Sequence, residues 1–425
     1  MWAKRALAVG RSRVPIASTG FASPKPPQLL APDVPIEEER KATYNAQHFY
    51  PVKLGQIFDD AYQVIAKLGY GGSSTVWLAK DVHRYVSVVT KLASCIVILC
   101  RRVWQSTRYV ALKICNNDHA NATSASHELQ ISRHITTTNP SHPGRQFVRT
   151  VLESFEIRGP YGNHMCLVYE PMREPIWLLQ RRFPDDRYPS DLLKWTLKYV
   201  LSGLDYLHSE CHVIHTGEFV VIMLTVVPRL AKLKDIKPEN ILVGLESASV
   251  LHDVANAEAE EPSPRKVLGD RTIYLSRNNF GVPKSSPGKP VLTDFDTATL
   301  GNVSHPLTHP IQPNPYRSPE VTLGAPWTYS ADIWNLGLMV RLSKFATGET
   351  QLMSMRGQIW NLLEDKTLCD GFDPEHQQYS SRAHLAQLIG FIGHPPKALL
   401  DQGQLTTRWF SSDGKSHRQY VQTTC

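Results

Sequence analysis

Asp235-Ile236-Lys237-Pro238-Glu239-Asn240 runs directly into Ile241-Leu242-Val243, a short apolar stretch that reads as a buried strand. Alone, the hexapeptide is a capped turn ahead of that strand. Further on, Asp294-Phe295-Asp296 follows the apolar pair Val291-Leu292. Phosphoryl transfer needs a carboxylate at the acceptor hydroxyl, a lysine on the moving phosphate, and an Asn and an Asp for Mg²⁺. Asp235, Lys237, Asn240 and Asp294 supply those residue types in that order.

Working outward, Tyr62–Leu68 alternates as a strand. Gly69-Tyr70-Gly71-Gly72-Ser73-Ser74-Thr75-Val76 follows, and Trp77-Leu78-Ala79 continues as a second strand. A glycine-rich hairpin lets backbone N–H groups approach phosphates without a Cβ in the way. Leu68, Gly69, Tyr70, Gly71, Gly72, Ser73, Ser74 and Val76 are therefore candidate nucleotide contacts. Ala111-Leu112-Lys113-Ile114 reads as a strand with one lysine, placed to pair with phosphates. Glu128, in His127-Glu128-Leu129-Gln130-Ile131, is its candidate ion-pair partner on a helix.

At 425 residues the chain is long enough for two lobes. Hydrophobic content of 42% with 20% charged residues marks a globular protein. The net charge of +7 is uneven: residues 1–30 carry five basic and no acidic residues. Together with 86–103 and 217–234 they hold +10, leaving about −3 for the rest. A basic tail and two odd segments do not argue for direct nucleic-acid binding. Cys95, Cys100, Cys115, Cys166, Cys211, Cys369 and Cys425 form no CxxC pair and no zinc-ligand spacing, and read as reduced intracellular thiols. The apolar runs Leu92–Cys100 and Phe219–Val227 fall well short of the ~20 residues that a spanning helix needs, so no membrane segment is expected.

The motifs taken together resemble the eukaryotic protein kinases, and within them the SR-protein kinases, in particular fungal members. Tyr50–Phe58 is similar to that family's lead-in, and Leu204-Asp205-Tyr206-Leu207-His208 with Val213-Ile214-His215-Thr216 to the start of its catalytic loop. Tyr316-Arg317-Ser318-Pro319-Glu320 resembles the end of the activation segment, and Asp332–Gly337 the helix that anchors the large lobe. The resemblance implies an α+β, bilobal protein-kinase fold, with a small antiparallel β-rich N-lobe over 49–170 and a larger, mainly helical C-lobe over 171–425. It implies ATP with Mg²⁺, and transfer to Ser or Thr hydroxyls of protein substrates, Arg/Ser-rich splicing factors among them. By this resemblance Asp235 and Lys237 are catalytic, Lys113 binds the α- and β-phosphates, and Asn240 and Asp294 hold the metal. Leu167–Met172 resembles the hinge, with the Glu170 carbonyl and the Met172 N–H facing adenine. His215 and Asp332 position the loop. The expected protein is a monomer of cytoplasm and nucleus; the acid-free Met1–Ser23 offers a mitochondrial alternative.

The chain also departs from the pattern. Residues 1–48 read as a flexible basic leader. Segments at about 86–103 and at 217–234 interrupt the family order, the second splitting Thr216 from Asp235. Both look intron-like: Gly217-Glu218-Phe219 can be encoded with GTGAGT, Leu224-Thr225 with CTAAC, and Val86-Ser87 with GTAAGT. Residues 244–290 read as a surface excursion, mostly loop. After Pro396 the pattern is lost, and the C-terminal end reads as incomplete. Asp296 stands where the family has glycine, which reaches positive φ freely. Its carboxylate adds charge beside the metal, so Asp296→Gly is expected to raise activity or ATP affinity. These departures support an alternative: a catalytically impaired, kinase-like binding module or a defective splice product.

Overall fold

The computed structural model describes residues 25–41, 44–82, 107–184, 188–215, 238–312, 314–339, 369–411 and 413–414. Asp235, Lys237, Met1–Ser23 and both intron-like segments lie outside them. The N-lobe is built on one six-stranded sheet: β1 (Ile57–Phe58), β2 (Tyr62–Tyr70), β3 (Ser74–Asp81), β4 (Tyr109–Cys115), β5 (Glu153–Gly159) and β6 (Gly162–Tyr169). The order is β1-β2-β3-β4-β6-β5, with every pair antiparallel. Alternation sends Val64, Ala79, Val110, Leu112 and Val168 to one face, where Val52, Phe58 and Tyr274 cover them. Ala111, Cys115, Leu167 and Tyr169 face the other way, onto helix α1 (His119–Thr137). Asp118 caps α1, its carboxylate accepting from the Asn121 N–H at 2.9 Å.

The C-lobe is mainly helical. Helix α2 (Ile176–Gln180) follows the hinge, and α3 (Ser190–Asp205) runs into a π turn over Tyr206–Glu210. Leu193, Val200 and Leu204 give α3 a buried stripe at helical spacing. A Cβ at Gly203 would meet the Phe147 carbonyl at 3.2 Å and Leu292 Cδ1 at 3.3 Å, so glycine permits this close crossing. Strands β7 (Val213–Ile214) and β8 (Ile241–Gly244) flank the catalytic-loop region.

Two expectations are corrected here. Residues 244–290 are not mostly loop: they hold helix α4 (Ser249–Glu260) and the hairpin of β9 (Arg265–Leu268) and β10 (Arg271–Tyr274). Leu251 and Val254 of α4 pack on Ile65, Leu78 and Tyr109. The apolar positions of this segment cover a strand face that would otherwise meet water. Nor is the leader flexible over 25–41. Leu29 bridges Arg265, and the short helix Glu37–Arg40 lies against β2 and the hairpin. Lys67 Nζ, 1% exposed, donates to Glu38 Oε2 at 2.5 Å and to the Tyr274 carbonyl at 3.1 Å, while Lys266 pairs with Glu39 at 2.9 Å. Three acidic residues neutralising two buried lysines fix this segment in place.

Strand β11 (Gly288–Leu292) pairs with β8, and β12 (Thr299–Leu300) with β7. Helices α5 (Pro319–Leu323), α6 (Ser330–Met339), α7 (Ser381–Ile392) and α8 (Lys397–Gln402) complete the described C-lobe. Leu323, Leu385, Leu400 and Phe410 form one apolar cluster there.

Candidate functional site

Lys113 lies mid-strand on β4, between Val76 of β3 and Leu167 of β6. Its Nζ donates to Glu128 Oε2 at 2.7 Å and to Asp294 Oδ1 at 3.0 Å. Burial opposes the charge of this lysine, but Asp294 and Glu128, followed by Tyr169 and Asp296, overcome it and push the pKa well above the usual value. The second oxygen of Glu128 accepts from Tyr169 Oη at 2.6 Å. Burial first, and then the same carboxylate, hold the Tyr169 phenol well above its normal range. Glu128, 3% exposed, is thus satisfied at both oxygens.

The pairing of β8 with β11 sets Ile241 opposite Leu292, and the Thr293 N–H donates to the Asn240 carbonyl at 3.0 Å. Asn240 and Asp294 therefore stand at one end of the same strand pair. On the other side, His215 Nε2 donates to the Thr293 carbonyl at 2.9 Å and the His215 N–H donates to Asp332 Oδ2 at 2.8 Å. His208 Nε2 donates to that same carboxylate oxygen at 2.8 Å.

The glycine hairpin is the β2–β3 turn. Leu68, Gly69 and Tyr70 end β2, Gly71, Gly72 and Ser73 form the turn, and Ser74 and Val76 lie on β3. A Cβ at Gly69 would meet nothing within 4 Å, so its backbone has open space beside it. Ser74 is 6% exposed and pairs with Cys115, which makes it a strand residue rather than part of the open tip.

The positive φ expected at position 296 is not found there. The residue with positive φ is Asp294, at 70°, and Asp296 is not among the positive-φ residues. Asp tolerates that left-handed conformation better than most side chains. Ser124 Oγ of α1 donates to Asp296 Oδ2 at 3.1 Å, and His127 Nε2 donates to the Ala298 carbonyl at 2.7 Å. Glycine at 296 would lose the first of these links.

The hinge carries a contact from outside its own strand. The Glu170 carbonyl accepts from Arg149, at 3.1 Å from Nε and 2.7 Å from Nη2. Arg173, beside Met172, makes two 2.7 Å bonds to Glu246, and its N–H donates to the Val243 carbonyl, tying the hinge to β8. Tyr169, Arg149, Ser124 and Thr293 escaped sequence reasoning. A polar aromatic at the end of an apolar strand, and a basic residue between Val148 and Val151, were the available signals.

The donor set fits a nucleotide and a divalent cation. Carboxylate and amide oxygens are hard ligands. Asp294, 22% exposed at its side chain, is reachable, Lys113 offers a cation for phosphate, and Gly69 leaves its approach open. Asp235 and Lys237, the remaining members of the expected set, lie outside the described residues.

No protein-family model matches the chain. It is 35% identical over 404 residues to a serine/threonine protein kinase of Aspergillus fumigatus, covering 92% of this chain and 82% of the relative. It is 27% identical over 404 residues to the serine/threonine-protein kinase SRPK of Physarum polycephalum, covering 89% and 78%. Among solved structures, a crystallised kinase domain superposes with a TM-score of 0.56 at 19% identity, covering 89% of this chain and 85% of that one. That last likeness concerns the fold.

Proposed function

The chain belongs to the serine/threonine protein kinases, in the SR-protein-kinase family, and from that premise we propose that it transfers the γ-phosphate of ATP to serine hydroxyls in Arg/Ser-rich proteins. The observation that carries this reading is Lys113 held between Glu128 and Asp294. That arrangement presents a fixed cation where the α- and β-phosphates are to be bound. The glycine hairpin Gly69–Val76 covers the phosphates with backbone N–H groups, and the Met172 N–H meets the base. Asn240 and Asp294 would hold Mg²⁺, which when bound neutralises charge on the phosphates. Asp235 orients the acceptor hydroxyl and takes its proton, and Lys237 steadies the transferring group. His215 and Asp332 brace the loop through Thr293. The N-lobe spans 49–170 and the C-lobe 171–425, and the protein works as a monomer in cytoplasm and nucleus.

Outside its tail and two inserts the chain is slightly acidic, which is compatible with basic substrates. The test is phosphate incorporation into an Arg/Ser peptide from labelled ATP, scored beside Asp235→Ala. Incorporation that vanishes in the variant while nucleotide binding persists supports the reading. A folded wild-type chain that binds ATP and Mg²⁺ yet labels no serine in the peptide overturns it.

A further inference from the structure

Arg149 joins the metal-motif strand to the hinge. Its N–H donates to the Leu292 carbonyl at 2.8 Å, two residues before Asp294, and Val148 bridges Leu292 as a parallel neighbour. Its guanidinium lies 4.5 Å from the centre of the Tyr169 ring and places two donors on the Glu170 carbonyl. Burial lowers its pKa to about 10, although Tyr169, Glu128 and Glu170 pull the other way, so the group stays charged at neutral pH. The cation therefore sits against the hinge beside Tyr169, whose hydroxyl donates to Glu128, and it occupies the carbonyl that the kinase reading assigns to the purine base. This inference rests on the kinase reading.

We propose that Arg149 selects the nucleotide base, weakening the preference for a 6-amino purine over a 6-oxo purine. The physical reason is donor and acceptor matching. An adenine amine is a donor that needs a free acceptor at the hinge, and Arg149 already directs two N–H groups at the Glu170 carbonyl. A 6-oxo group is an acceptor and pairs directly with a guanidinium N–H. The chain thus offers a donor at the base edge where adenine also offers one. Replacing Arg149 by an apolar residue releases the carbonyl for the amine and leaves a 6-oxo group facing carbonyl lone pairs.

The test is calorimetric binding of ATP and of GTP, each with Mg²⁺, to the full chain and to Arg149→Leu, with folding scored by thermal melt. The wild type is expected to bind GTP within about tenfold of ATP, and Arg149→Leu to raise Kd(GTP)/Kd(ATP) by about tenfold, the scale of one mismatched buried hydrogen bond. If Arg149→Leu does not melt cooperatively, Arg149→Lys serves in its place: it keeps the charge, loses the planar fork, and is expected to move the ratio the same way by a smaller factor. A ratio unchanged within twofold in a folded variant overturns the base-selecting role alone. A folded wild type that binds neither nucleotide overturns the kinase reading itself, and this inference with it.

Discussion

Ser124 Oγ donates to Asp296 Oδ2 at 3.1 Å, joining helix α1 to the segment after Asp294 one turn ahead of Glu128. Residues four apart share a helix face, so this bond and the Glu128–Lys113 pair stand on the same side of α1. Asp296→Gly is therefore expected to lower the transfer rate by about tenfold, since a hydrogen bond to a charged group is worth roughly 1.5–3 kcal/mol. Asp296→Asn, which keeps an acceptor, should retain most activity. Ser124→Ala should match Asp296→Gly, and the double variant should be no worse than either. Additive losses in kcat across that cycle would show that the two groups act separately.

Lys113→Met should abolish transfer. It also strips the cation from Glu128, 4% exposed at its side chain, and from Asp294. Breaking a buried pair from one side costs about 3 kcal/mol, so a lower denaturation midpoint is expected with the loss of activity. An unchanged midpoint would mean that water or another cation takes the place of the amine.

His384 of α7 donates from Nε2 to the Arg317 carbonyl at 3.0 Å and is fully buried. Burial, the largest influence, brings its pKa down from 6.5 to about 4. A depressed pKa means that the unfolded chain takes up a proton first as pH falls. The stability from neutral His384 is fully present above about pH 6.5 and is lost as pH falls towards 4, amounting to roughly 3 kcal/mol. Denaturant midpoints measured across that range should fall less steeply in His384→Gln than in the wild type; equal slopes would assign the acid sensitivity elsewhere.

Glu38→Ala leaves Lys67 buried with Glu37 at 3.6 Å, the Tyr274 carbonyl at 3.1 Å and the Tyr70 ring 5.4 Å from its Nζ. A loss of about 2–3 kcal/mol is expected, and the pair Glu38→Leu with Lys67→Met should recover much of it. Calorimetric melts of the three proteins decide; a silent Glu38→Ala would mean that Glu37 alone suffices.

Deleting Gly217–Lys234 rejoins Thr216 to Asp235. A displacement of about 1 Å at a positioned group can cost about 100-fold in rate, so specific activity per folded molecule should rise at least tenfold. Deleting 86–103 should mainly improve folding. Equal specific activity with and without Gly217–Lys234 would show that the added chain is harmless to catalysis.

The strands around Lys113 and the pairing of Glu128 with it were legible because alternation and one lone charge mark them. Helix α4 was not. Its larger apolar residues, Val250, Leu251 and Val254, span little more than one turn, and the alanines and charges after them give no further signal; Leu251 and Val254 find their reason in the strand face they cover. The order of 25–41 was hidden for a similar reason: the segment reads as part of a flexible leader until Lys67 and Lys266 stand opposite Glu37, Glu38 and Glu39. Arg149 was illegible because its partner is a backbone carbonyl, which carries no sequence signature. The positive φ expected at position 296 fell on Asp294, since a motif fixes residue types more firmly than it fixes which peptide turns.

Thr293 receives His215 on its carbonyl and gives its N–H to Asn240. The chain on either side of 217–234 is therefore fastened to one residue, and Asp81 and Arg108, on either side of 86–103, are likewise joined by a backbone bond of 2.9 Å. In evolutionary terms these are seams. Sequence gained or lost there begins and ends at neighbouring points, so no strand must change register to admit it. Closing an 18-residue loop costs only about 2.6 kcal/mol plus a constant. Length and strand register are thereby uncoupled at these two places, whereas catalysis, which needs Asp235 in position, still depends on the length of the second.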